Sequence, residues 1–148
     1  MKVIHNNFAV AWKGALFAIT DGKDIYIDDN FYQLSNNLKK IILKHEEGHI
    51  VLNHVNANND MFSSMLELEK EADEYAFRHT SIESAQEFIE LLSLDDSKMS
   101  KSRVTNIKSL IAEQEILNSG DEDRINALLE LYDEMSEIFN DIAIALQK

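Results

Sequence analysis

His45-Glu46-Glu47-Gly48-His49 is the stretch of this chain whose residue types and spacing best suit chemistry. It matches H-E-x-x-H and lies inside the mostly apolar run "LKHEEGHIVLNH". On an α-helix, positions i and i+4 share a face, so both imidazoles can meet one cation. Glu46 stands about 100° around the helix, near enough to reach a water on that cation without replacing a ligand. That is the arrangement of metal-assisted hydrolysis, in which the ion brings the pKa of a bound water to about 7 and the carboxylate takes its proton.

A catalytic zinc takes a third protein ligand. A third histidine in the extended H-E-x-x-H-x-x-G-x-x-H pattern would need glycine at 52 and histidine at 55, but the chain has Leu52 and Val55, with His54 one place early. The other source is a carboxylate on a neighbouring helix. "LELEKEADEYAF" carries Glu69 and Asp73 four residues apart, with small Ala72 and Ala76 beside them. Small side chains allow close helix approach, so Glu69 is expected to complete the metal set and Asp73 to accept from a ligand imidazole. Glu67, Glu71 and Glu74 are expected to face water. Two histidines and one glutamate at a hydrolytic site favour Zn2+ over other divalent ions.

These residues need elements to hold them. The chain has 148 residues, no proline, four glycines and no cysteine, so long helices are favoured and disulfides and thiolate ligands are excluded. "ALFAITDGKDIYID" reads as two β-runs, 16–20 and 24–27, joined at Asp21-Gly22, with Val3-Ile4 and Phe8–Trp12 as further strand candidates. Helical periodicity starts after Ser35, a predicted N-cap, and runs to Leu52. Further helices are expected over 64–78, from Ser81 through Leu92, over 102–117, and from Asp123 to the end. The reading is one helix-rich α+β domain with a small antiparallel sheet at the N-terminus: 1–34 the sheet, 35–80 the metal-binding hairpin, 81–148 the C-terminal helices.

A formal charge of -13, with 27 acidic against 14 basic side chains, opposes direct nucleic-acid binding and would draw in a basic partner. The apolar run over residues 8–19 is too short to span a bilayer and contains Lys13, so it is read as core strand, not as a targeting or membrane segment. A cytoplasmic location fits the absence of cysteine.

With both motifs in place, residues 24–79 resemble the ImmA/IrrE-type zinc metallopeptidases, on the ordered segments "DIYIDD", "LKKIILKHEEGHIVLNH" and "LEKEADEYAF". The resemblance implies a zincin-like core in which His45, His49 and Glu69 bind zinc, Glu46 is the base, and the substrate is a protein, in such families a helix-turn-helix repressor of a phage, mobile element or stress response. Glu47 departs from the apolar residue usual there. Asp73 stands where many relatives have asparagine and is similar to the membrane-bound Ste24/HtpX zincins. For the oxyanion, Tyr75 and His79 are the candidates, and 16–20 or 24–27 is expected to offer a strand edge to substrate. The competing readings are a metal-binding interaction module without proteolysis and a metal-free helical scaffold.

Overall fold

The structure, a computed structural model, describes residues 1–6, 17–56 and 62–147, so the expected strand over Phe8–Trp12 lies outside the described residues. The described chain forms two compact units, residues 1–110 and 111–148. The first holds everything the candidate site requires.

Three short strands open it: β1 (Val3–His5), β2 (Ala18–Thr20) and β3 (Ile25–Ile27), in the order β1-β3-β2. The Asp21-Gly22 signal is a real turn. Gly22 has φ 92°, which disfavours a side chain, and Asp21 Oδ1 accepts from the backbone of Lys23 and Asp24 at 2.9 and 2.8 Å. This hairpin makes β2 and β3 antiparallel, as expected, but β1 joins β3 in parallel, so the sheet is mixed. A parallel partner must arrive by a longer crossover, and a period-2 pattern is blind to strand direction. In β3, Ile25 and Ile27 are buried while Tyr26 turns out to donate to Asp21, the alternation of a half-buried strand. A 3-10 turn over Asp29–Gln33, absent from the sequence reading, is capped by Asp28 and buries Phe31.

Helix α1 (Asn36–Val51) begins where Ser35 Oγ accepts from the Leu38 amide at 3.1 Å. Helix α2 (Phe62–Arg78) returns beside it, and α3 (Ile82–Leu92) starts at the Ser81 cap. Helix α4 (Lys98–Ser119) begins earlier than its apolar pattern suggests, because Asp95, Ser97 and Ser100 form a hydrogen-bonded start. In the second unit, α5 (Glu122–Leu146) starts at the Asp121 cap, and none of its described residues is buried.

The α1–α2 contact decides the site geometry. Ala72 and Ala76 are fully buried, and a methyl group at Gly48 would sit 3.2 Å from Tyr75 Cβ and 3.3 Å from Ala72 Cα. Those atoms are part of or next to the α2 backbone and cannot swing aside. Gly48→Ala is therefore expected to destabilise the protein by about 1 kcal/mol, since overpacking of about 1–3 kcal/mol outweighs the helix-propensity gain of about 1 kcal/mol. Thermal unfolding measures it; a raised melting temperature would contradict the close approach.

Candidate metal centre

Helix periodicity brings His45 and His49 to the same face of α1, and their Nε2 atoms lie 3.1 Å apart. From α2, Glu69 places Oε2 3.3 Å from His45 Nε2 and Oε1 3.3 Å from His49 Nε2. Four ligands around zinc at about 2.0–2.1 Å stand roughly 3.3 Å from one another in a tetrahedron. The edge between the imidazoles and the two edges to Glu69, one to each carboxylate oxygen, lie near that spacing, so the residues present suit a small divalent ion. Among the described residues, His45, His49 and Glu69 form the group able to hold a metal.

The outer contacts orient the rings. Asp73, with no exposed side-chain surface, lies 2.8 Å from His45 Nδ1 through Oδ1. On the other ring, His49 Nδ1 lies 3.0 Å from His54 Nδ1, and His54 Nε2 lies 2.9 Å from Glu71 Oε2. His54 donating to Glu71 from Nε2 and His49 donating to His54 from Nδ1 satisfy one branch, while His45 Nδ1 meets Asp73 as a close ion-pair contact outside hydrogen-bond geometry. Once His45 gives up its Nε2 proton, both Nε2 lone pairs face Glu69. Sequence reasoning assigned Asp73 this role but left Glu71 to solvent. Glu71 is exposed, yet it anchors His54.

His54 is positioned by the end of α1. Asn53 takes φ 57°, a left-handed conformation that asparagine tolerates, and the following 3-10 turn (His54–Asn56) folds the histidine back against His49. No helical spacing reveals this, because the residue lies past the helix. His54→Phe keeps a ring and removes both nitrogens; zinc affinity is expected to fall about 10–100-fold with the far-UV circular dichroism unchanged. Unaltered affinity would reduce His54 to packing.

A further residue comes from α4. Arg103 donates through Nε and Nη2 to Asp73 Oδ2 and Oδ1 at 2.8 and 2.7 Å, and its Nη1 stands 3.3 Å from Glu69 Oε2. Its guanidinium also lies over the Phe88 ring, 5.6 Å from the centroid. The partner is thirty positions away in the chain, and "KSRVTNIKSL" offers no spacing that marks the arginine.

Charge at the centre follows from burial and pairing. Burial raises the Glu46 carboxyl to about 7, the value suited to a base working near neutrality. Burial also works against the charged forms of His45, Glu69 and Asp73, but their mutual contacts win. Asp73 and Glu69 hold His45 up at about 10, the two histidines hold Glu69 below the usual carboxylate range, and Arg103 with His45 does the same for Asp73.

The centre opens into a cleft of about 570 Å³. Glu46 and Arg103 line it, Ala18–Thr20 of β2 form one side, and Leu68, Phe88, Leu91 and Met99 contribute an apolar wall. Of the two strands expected to meet substrate, β3 is central and paired on both sides, while β2 is an edge strand among the described residues. Tyr75 and His79, the expected oxyanion donors, are not among the cleft residues. They stack on each other at 4.1 Å, His79 Nδ1 donates to the Tyr75 carbonyl, and Tyr75 packs against Gly48. Six residues beyond Glu69, Tyr75 lies on another side of α2, and His79 follows the last residue of the helix. Among the described residues, no helix is long and apolar enough to cross a membrane. No protein-family model, curated protein or solved structure matches this chain, so its own geometry is the ground for a functional reading.

Proposed function

We propose that this protein is a zinc-dependent endopeptidase acting on a protein substrate. The observation that carries the reading is the cluster of His45, His49 and Glu69, with the two Nε2 atoms 3.1 Å apart and each 3.3 Å from a different Glu69 oxygen, set beside the half-buried Glu46 carboxylate in an open cleft. Two imidazole nitrogens and a carboxylate, with no thiolate in the chain, form the ligand set of hydrolytic zinc sites. Zinc held there supplies Lewis acidity, polarising a peptide carbonyl and acidifying a water.

The residues of the chain do the rest. Glu46 takes the proton from the attacking water and returns it to the leaving amine. His54 and Asp73 keep the two rings in the tautomers that leave Nε2 free. The β2 edge pairs with an extended substrate backbone, and the wall around Phe88 and Leu91 receives an apolar side chain. A helix-turn-helix repressor, the substrate implied by the resemblance, is basic and would be attracted by a chain of charge -13. A cytoplasmic site of action fits such a substrate.

Metal analysis of untagged protein should find close to one zinc per chain, and the zinc-loaded protein should cleave a helix-turn-helix repressor in a chelator-sensitive manner. Near-stoichiometric zinc without cleavage of any protein or peptide library would favour the interaction module instead. Failure to take up zinc at neutral pH would overturn the metal reading altogether.

A further inference from the structure

We propose that Arg103 is a positioning residue of the metal centre, one that locks Asp73 in place. The inference rests on the metal reading above and adds to it a component from α4, outside the motif-bearing hairpin.

Geometry comes first. Asp73 has no exposed side-chain surface, and its carboxylate must satisfy its lone pairs inside the protein. Arg103 supplies a two-pronged contact at 2.8 and 2.7 Å, the planar fork that arginine offers and lysine does not. That contact fixes the carboxylate plane, and Oδ1 of the same group faces His45 Nδ1 at 2.8 Å. Rotation of Asp73 would free His45 to turn its Nε2 away from His49 and Glu69. The guanidinium is itself held over Phe88, so the chain of contacts ends on a rigid core residue.

Charge gives the second argument. Arg103 is the only lysine or arginine among the described residues lining the cleft, and it faces Glu69 as well as Asp73, so it offsets part of the negative charge these carboxylates bring to the site. The third nitrogen of Arg103 also lies 3.3 Å from Glu69 Oε2, the oxygen that faces His45, and so restrains the ligand carboxylate directly.

Two variants test this on purified full-length protein, with zinc affinity measured by chelator competition and site geometry by the visible spectrum of the cobalt-loaded protein. Arg103→Lys keeps the charge and loses the fork; its zinc dissociation constant is expected to rise about tenfold, with an altered cobalt spectrum. Arg103→Gln in an Asp73→Asn background removes both partners, which spares the fold the cost of one buried unpaired charge. This double variant should lose less zinc affinity than the two single losses combined, because most of the arginine's effect passes through the aspartate. Wild-type zinc affinity and an unchanged cobalt spectrum in Arg103→Lys would overturn the proposal and leave the metal reading intact. So would fully additive losses in the double variant. If the wild-type protein binds neither zinc nor cobalt, it is the metal reading that has failed.

Discussion

Glu46→Gln should abolish peptide hydrolysis while leaving zinc in place. The amide has nearly the shape of the carboxylate but cannot accept the proton of the attacking water, and removal of a general base costs about 10²–10⁴ in rate. Zinc content should persist, because Glu46 is not among the three ligating residues. A second consequence separates this residue from an ordinary surface glutamate. Its carboxyl is raised by burial from 4.5 to about 7, so in the zinc-free protein the folded state holds the proton more tightly than the unfolded chain does. Wild-type stability therefore falls as pH rises from about 4.5 through 7, whereas glutamine does not titrate. The full shift corresponds to about 3 kcal/mol, and partial exposure of the side chain reduces the expectation to about 1–2 kcal/mol. Chelator-treated Glu46→Gln should thus melt higher than wild type at pH 8 and lose that advantage near pH 4. Cleavage at the wild-type rate would exclude Glu46 as the base; equal melting at both pH values would contradict its burial.

Glu69→Gln should cost the protein its metal. The side chain is the sole ligand from α2, and it bridges both imidazoles at 3.3 Å. Loss of a supporting contact typically weakens a site 10–100-fold, so loss of the charged ligand itself should exceed that range. The effect is readable as stability. A ligand bound only by the folded state stabilises it by about 4 kcal/mol at a thousand times its dissociation constant, so zinc should raise the wild-type melting temperature and leave Glu69→Gln nearly unmoved. Affinity should also depend on pH with a defined sign. Asp73 and Glu69 hold His45 at about 10, so at neutral pH a cation must displace a proton there. Displacement of one proton makes apparent zinc affinity rise about tenfold per pH unit between pH 6 and 9. An affinity flat across that interval, or a zinc-induced melting shift retained by Glu69→Gln, would remove Glu69 from the ligand set.

Much of the centre was legible along the chain because it depends on local rules. Helix geometry puts residues four apart on one face, so His45 with His49, and Glu69 with Asp73, follow from spacing alone. Ser35 and Ser81 were readable as caps for the same reason: a hydroxyl bonds an amide three residues ahead, and no distant partner is involved. The small residues Ala72 and Ala76 announced that the two helices would lie close, and both are fully buried at a contact where Gly48 of α1, which the sequence reading did not single out, meets α2.

What the tertiary structure alone decided is everything that joins residues across elements. Pairing of Arg103 with Asp73 depends on how α4 crosses the hairpin, and one arginine in a polar helix carries no periodic mark. The reach of His54 back to His49 depends on a single left-handed residue, Asn53, whose conformation is one of several open to asparagine. Parallel pairing of β1, and with it the central place of β3 and the edge place of β2, arises from long-range packing to which an alternating pattern is indifferent. Tyr75 shares a helix with Glu69 and His79 follows directly at its end, yet only the direction in which α2 packs determines that they stack on each other, with Tyr75 against Gly48, rather than face the cleft. Periodicity therefore supplied the ligands, and three-dimensional packing supplied the groups that hold them in register.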